Sequence, residues 1–474
     1  MKIENNKKVV VNVIAFFGGL IFYYIATHGT MEMNMASYDA KDIWQTITSF
    51  YTDEMYPSYV LYKGINAVYP YVWLYHLAML FHLNEWFFVK MFYGICFAYV
   101  SGVGFPNIVE KLLKNKVSIV PRCIMIVVLW DLWDTSFAFT QLMIDLPCLA
   151  YFVLLINLAL TLYRNKNNRI LFALCGLLCG LCMSASGQYT IPAICVVILL
   201  VCCSLKNEKT GIKRFGMAAT YLLPCILCIG VVLLCNTNFE KEVVDEARQE
   251  GAWIPSGDDW LKSGLVRFRY NYRADRELEI SSNRKAAILV EYFGGEEQIP
   301  AALTVEEYMA IFFKYPADSI INYLNSFFLI LSPDGGAFNA WPLFFFYSMI
   351  YLALYEGVKR CDTWKKFFSP LFWVGFAFVW ATVPMLVMNI EARTCMQIQG
   401  LIAALAICGT TFREGAKKLI ETVKECWRSK SLKSLSHIPY PVLLYIIFIC
   451  VCFVHIATLY DGNAINPSSV LIDF

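Results

Sequence analysis

Apolar residues in this chain fall in long blocks rather than at helical or strand spacing. A helix that crosses the hydrocarbon layer needs about 20 predominantly apolar residues. Residues 9–27, 86–105, 371–388 and 442–459 meet or approach that length. The blocks 117–137, 146–163, 170–184, 190–205, 216–235, 341–355 and 395–411 bring the set to about eleven. The pattern predicts an all-α, polytopic membrane protein.

Lys and Arg in short loops set the orientation of such a protein. Lys2, Lys7 and Lys8 precede the first block, and Lys111, Lys114 and Lys116 follow the second. Arg164, Lys166 and Arg169, then Lys206, Lys209, Lys213 and Arg214, then Lys359, Arg360, Lys365 and Lys366 mark later loops. With the basic stretch 413–433, all of them fall on one side under an eleven-span count. The N-terminus is therefore expected in the cytoplasm and the C-terminus outside. Residues 236–316 become one large outer loop between a membrane module at 1–235 and a second set of helices at 317–474. Long loops translocate whatever their charge, so the arginines of 236–316 do not oppose this. The short block 320–331 lies between Pro316 and Pro333-Asp334-Gly335-Gly336. It is expected to be an outer interfacial helix, and the span count depends on its not crossing. The first outer loop, 28–85, starts polar and continues into aromatic stretches around 56–62 and 69–80 that suit an interface.

Composition narrows the class further. The chain of 474 residues is 58% hydrophobic and 16% charged, against roughly 25% charged in soluble domains. A net charge of +2 gives no bulk attraction to nucleic acid. The 18 cysteines lie almost entirely in apolar blocks, and none is in 236–316, so no disulfide framework is expected. Cys175, Cys179 and Cys182 beside Gly176 and Gly180 are read as small packing residues at a close helix approach. Phosphate-loop, dinucleotide and zinc-protease motifs are missing, and His28, His76, His82, His437 and His455 are isolated in sequence.

Candidate chemistry lies in acids at the expected outer ends. Asp39 and Asp42 follow the first block, Asp131 and Asp134 close the third, and Asp145 opens the fourth. Acids at membrane depth are costly and face cavities or interiors. Each also has a plainer reading. Asp145 suits a helix start, since Pro147 follows in the first turn. Asp39 and Asp42 suit a solvated loop, whereas Asp131 stands between Trp130 and Trp133. Opposing them, Glu391-Ala392-Arg393 closes a late block, where Arg393 either pairs with Glu391, snorkels, or binds an anion. Lys63, in an apolar stretch, carries the same choice. Arg267, Arg269 and Arg273 alternate with aromatics in the large loop, as a phosphate or sugar site or an ordinary salt-bridged loop.

The ordered set resembles the GT-C glycosyltransferases, integral-membrane enzymes that use polyprenyl-phosphate sugars. The resemblance is carried by Tyr38-Asp39-Ala40-Lys41-Asp42 after the first block, by Tyr56-Pro57-Ser58-Tyr59 and by Tyr69-Pro70-Tyr71-Val72-Trp73. It continues in the run from Leu80-Phe81-His82 to Lys90, in Asp145, in Gly176-Leu177-Leu178-Cys179-Gly180-Leu181 and in Glu391-Ala392-Arg393. It covers residues 9–235 and 340–411 and leaves out the large loop. Departures are Ser184-Ala185-Ser186-Gly187-Gln188 where the family often has a lysine, Thr394 for a tyrosine and Lys90 for an arginine.

The resemblance implies inverting sugar transfer on the outer face of the plasma membrane. The donor is a polyprenyl-phosphate sugar, and the acceptor is a glycan, lipid or protein of the cell envelope. It implies Asp39 as base, with Asp42 its rival, and Asp145 orienting the acceptor or a metal. Arg393 and Lys63 would hold the donor phosphate. Glu391, Asp131 and Arg269 are further candidates for substrate binding, Arg269 from its basic and aromatic setting in the large loop, which the resemblance does not cover. A divalent ion is compatible with the carboxylates and is not demanded by them. A transporter or flippase of lipid-linked sugars is the alternative, although no internal repeat is visible. An envelope polysaccharide polymerase or ligase is a further one, in which the arginines of the large loop would do the chemistry.

Overall fold

A computed structural model describes residues 2–29, 32–33, 38–50, 65–134, 141–164, 169–207, 216, 219–220, 222–230, 291–295, 298, 304–317, 320, 340–359, 369–387, 395–409, 414 and 440–460. Among these the regular elements are helical, with no β-strand. In chain order they are α1 Lys2–Ala26, α2 Tyr38–Ser49, α3 Ile65–Leu80 and α4 Phe87–Ala98. A π-helical segment, Tyr99–Gly104, leads without a break into α5 Phe105–Leu113. Then come α6 Ile119–Asp134, α7 Asp145–Arg164, α8 Arg169–Ala185 and α9 Thr190–Asn207. The later helices are α10 Val305–Lys314, α11 Ala340–Val358, α12 Pro370–Val387, α13 Met396–Cys408 and α14 Tyr440–Tyr460.

Three helical stretches are long and apolar enough to cross a membrane: Lys7–Ala26, Phe87–Leu113 and Asp145–Tyr163. Shorter apolar helices stand at six of the other expected positions, those at 170–184, 190–205, 341–355, 371–388, 395–411 and 442–459. The block at 117–137 is α6, which carries Arg122 and Asp131, and the block at 216–235 is described only in part. On α1, Val10, Val13, Ile14, Phe17, Ile21, Tyr24 and Ile25 recur at three- and four-residue spacing and are all about half exposed or more. Such a stripe along a whole helix is not tolerated against water and suits hydrocarbon.

Some expected boundaries move. The block at 86–105 belongs to a helix that continues to Leu113, so Lys111 lies within it. Its ammonium reaches back to α7, bonding the Asn157 carbonyl at 2.8 Å and the Thr161 hydroxyl at 2.8 Å. The stretch at 69–80, expected to be amphipathic, lies in α3, whose two sides are both apolar: Val68, Tyr71, Val72 and Ala78 are buried while Trp73, Met79 and Leu80 are exposed. The interfacial helix expected at 320–331 lies outside the described residues apart from Ile320, and the large loop is described only at 291–295, 298 and 304–316. There α10 begins with a capping box between Thr304 and Glu307, which satisfies two otherwise orphaned donors.

The π segment sits where several helices meet. Its wider turn leaves carbonyls out of the ordinary helical register, and buried carbonyls must find donors elsewhere. Arg122 of α6 donates from Nη1 to the Gly102 carbonyl at 2.9 Å, and Asn157 of α7 donates to the Gly104 carbonyl at 2.9 Å. Small residues bring α1 against the same segment: a Cβ on Gly102 would lie 2.8 Å from the Ala15 carbonyl. Similarly, a Cβ on Gly180 of α8 would lie 2.9 Å from the Cys225 carbonyl, so this glycine does mark a close approach. The described buried cysteines, including Cys175, Cys179 and Cys182, are free thiols packed in the core.

Contacts sort the helix ends into two groups. At one end Lys8 of α1 pairs with Glu110 of α5, and Glu110 lies 3.5 Å from Arg122 near the start of α6. Leu112 of α5, Glu356 of α11, Leu371 of α12 and Leu405 of α13 line a small cavity of about 30 Å³ toward the same end. There too Tyr351 of α11 donates to the Pro441 carbonyl at the start of α14, and Lys359 pairs with Glu414 at 3.2 Å. At the other end Tyr23 of α1 meets Trp130 of α6, Cys148 of α7 meets the Ala185 carbonyl of α8, and Trp133 of α6 meets Gln399 of α13. Lys8, Lys111, Lys114 and Lys359 belong to the first end, called here the basic end.

Packing at the α5–α13 crossing yields a test. A Cβ on Gly400 would lie 2.4 Å from the buried Phe105 ring. Gly400→Ala should therefore lower stability by about 1–3 kcal/mol through overpacking. Thermal melting of the purified chain would show the loss, and adding Phe105→Leu should recover part of it.

Candidate functional site

The end opposite the basic one gathers the described parts of the expected site. Helix α2 carries Asp39 and Asp42 in its first turns, one helical turn apart or less, although their side chains lie outside the described residues. Its position is held by Ala40, Ile43 and Ile47, which are fully buried, and by Trp44. The Trp44 ring stacks on Trp86, just before α4, with centroids 3.5 Å apart, and meets the Tyr75 ring of α3 edge-on at 5.6 Å. Aromatic rings bury large areas in fixed relative geometry, so this trio ties α2, α3 and the start of α4 together.

The strap before α7 is fixed by two buried tyrosines. Tyr71 of α3 donates to the Met143 carbonyl at 3.2 Å, and the Met143 N–H donates to the Tyr93 hydroxyl of α4. Both main-chain groups of Met143 are thus satisfied from different helices, with the two hydroxyls 3.5 Å apart. Two residues on, α7 opens at Asp145, half-buried, in the first turn where helical N–H groups lack partners. A carboxylate is favoured there by the helix dipole. Further along α7 the Phe152 ring stacks on that of Tyr189 at 4.9 Å.

The other expected residues divide. Asp131 is exposed on α6, while its neighbours turn inward. Trp130 packs on Phe22, Tyr23 and Phe97, and the Trp133 ring N–H donates to Gln399 at 3.2 Å. Lys63, Arg269, Glu391 and Arg393 lie outside the described residues. The chain that leaves the 388–394 segment does enter this end: Cys395, Met396 and Gln397 are buried, and Gln397 donates to the Ala381 carbonyl of α12 at 3.0 Å. Two segments bearing expected site residues, α2 and the start of α7, and the residues after Arg393 therefore reach the same end of the bundle.

Sequence reasoning gave no role to Tyr71 or Tyr93 and singled out Lys90 only as standing where the resemblance has an arginine. The tyrosine bonds join positions 50 or more apart in the chain, and nothing local signals them. Lys90 had a signal, a lone charge in Phe87-Phe88-Val89-Lys90-Met91-Phe92. It is only 6% exposed, with its ammonium 5.8 Å from the centre of the Tyr23 ring. No three His, Cys, Asp or Glu side chains converge as a metal centre among the described residues, a set that leaves out the side chains of Asp39, Asp42 and Glu391.

No family model matches the sequence, and no curated protein matches it significantly.

Tyr93→Phe should leave the Met143 N–H without its acceptor while keeping the ring. The cost is expected at about 1–3 kcal/mol, the penalty for a buried unsatisfied donor. Hydrogen exchange should show faster opening of residues 141–146 than in the parent chain, while Tyr24→Phe, at an exposed position on α1, should leave that rate unchanged.

Proposed function

We propose that the chain is a polytopic plasma-membrane glycosyltransferase of the GT-C type, with about eleven spans and its basic end in the cytoplasm. In this reading the opposite end faces outward and moves a sugar from a polyprenyl-phosphate donor to an envelope acceptor. The observation that carries it is that α2, the start of α7 and the residues following Arg393 lie toward the same end of the bundle. The exposed apolar stripe of α1 supports the membrane setting, and the basic residues of the other end support the orientation.

The chemistry asks little of the protein beyond these groups. The acceptor oxygen attacks the anomeric carbon, the bond from that carbon to the phosphate oxygen breaks, and the configuration inverts. The departing phosphate is a weak base and needs cationic contacts rather than a strong acid. The acceptor proton passes to a carboxylate. Asp39 takes that proton, with Asp42 the rival for the role, and Asp145 orients the acceptor from the first turn of α7. Arg393 and Lys63 hold the phosphate, and the 16% aromatic content supplies stacking surface for sugar and lipid. A divalent ion beside the carboxylates is a feature the reading permits.

The direct test assays the full chain in proteoliposomes with a panel of polyprenyl-phosphate sugars. Asp39→Asn or Asp42→Asn should lower transfer by about 10²–10⁴-fold, the usual contribution of a general base. Full activity in both variants removes the base assignment. Movement of intact lipid-linked sugar across the bilayer, with no transfer, would favour the transporter instead.

A further inference from the structure

Residues 141–146 form a strap that is packed everywhere but at its acid. Gln141, Leu142, Met143, Ile144 and Leu146 are buried, and Asp145 alone among them is half-buried. The main chain on both sides of the carboxylate is therefore fixed while the carboxylate itself reaches open space. A main chain placed so deeply must have its N–H and C=O groups paired. At Met143 side chains do this: Tyr71 donates to the carbonyl at 3.2 Å, and the N–H donates to the Tyr93 hydroxyl. The two hydroxyls lie 3.5 Å apart, so Met143 and the two phenols close a buried ring of polar groups. Beyond Asp145, the Cys148 thiol donates weakly to the Ala185 carbonyl of α8 at 3.9 Å. The start of α7 is thus tied to α3, α4 and α8.

We propose that Tyr71 and Tyr93 are positioning residues that set the place of the Asp145 carboxylate. The inference rests on the glycosyl-transfer reading, in which Asp145 orients the acceptor. Only the buried Ile144 separates Met143 from Asp145, so a shift of the clamped residue passes to the acid. A plain packing role would need the Met143 groups paired by any partner. The tyrosines add a shared frame. On α3, Tyr75 stands one turn after Tyr71 and meets the Trp44 ring of α2 at 5.6 Å. Trp86, just before the helix that carries Tyr93, stacks on the same Trp44 ring at 3.5 Å. Both acid-bearing segments, α2 and the start of α7, are therefore held by α3 and the α4 region. Groups held by one frame keep their separation, and reaction rates depend steeply on such placement.

The test measures transfer by the full chain in proteoliposomes while polyprenyl-phosphate sugar and acceptor are varied in turn. Tyr71→Phe and Tyr93→Phe should each lower kcat/KM for the acceptor by about tenfold to a hundredfold, the scale of a small misplacement. The donor KM should stay within about twofold, because a displaced acceptor-orienting group leaves donor binding as it was. Tyr24→Phe, at an exposed position on α1, should leave both unchanged. A general loosening of the fold would weaken donor and acceptor together, and that result overturns the proposal. Unchanged transfer in both variants also overturns it, even with faster hydrogen exchange at 141–146, since the tyrosines would then serve stability alone. Each variant removes one hydroxyl and leaves the other Met143 group paired, so either decides if its counterpart does not fold. No transfer by the parent chain with any donor ends the glycosyl-transfer reading and this proposal with it. Transfer by the parent with unaltered variants ends the proposal alone.

Discussion

The π segment Tyr99–Gly104 is the joint on which the rest of the arrangement turns. One wider turn rotates the part of a helix before it relative to the part after it, by roughly 100° for each residue gained. Here that separates two jobs on one continuous helix. The α4 half presents Lys90, Tyr93 and Phe97 to the aromatic end, and the α5 half presents Glu110 and Lys111 to the basic end. The carbonyls it displaces are taken up by Arg122 and Asn157, which pull α6 and α7 against it, and Gly102 lets α1 come close on another side.

That joint limits where polar chemistry can sit. Around it the helices show apolar faces outward and share one continuous buried core, and the described ion pairs Lys8–Glu110, Glu110–Arg122 and Lys359–Glu414 lie toward the basic end. At the opposite end the fixed elements are aromatic stacks and tyrosine hydroxyls that hold backbone, not charge. A carboxylate such as Asp145 in that setting keeps its orientation from the helix it begins. The half-buried Asp145 and the buried Lys90 thus share an end in which aromatic rings pack the surrounding helices.

Much of this was legible in the blocks of apolar residues. The first block became α1, the fourth α7 and the late ones α12 and α14, each within a few residues of expectation. The small-residue spacing at Gly180 also marked a true close approach. The π segment was not legible, because the donors that take up its carbonyls, Arg122 and Asn157, lie 20 and 53 positions from them. The apolar character of both sides of α3 was missed for a related reason. Tyr71 counts as an interfacial aromatic until its hydroxyl is seen buried against Met143. For the site, sequence alone picked out Asp39, Asp42 and Asp145 as acids beside apolar blocks, but it could not separate Asp131, whose exposure is set by the packing of Trp130 and Trp133. Lys90 was visible as a lone charge where the resemblance has an arginine, and its burial was not legible because it depends on packing against Tyr23 of α1.

In the function proposed above, the two ends of the bundle lie on opposite sides of a membrane, with the acid-bearing end outside. Labelling single introduced cysteines in intact cells with a membrane-impermeant maleimide tests it, the parent chain serving as the blank for its own thiols. Glu85→Cys reports the aromatic end and Lys359→Cys the basic end, and both positions are exposed. The expected result is labelling of Glu85→Cys from outside and of Lys359→Cys only after permeabilisation. Labelling of both from the same side, or the reverse order, would contradict the account.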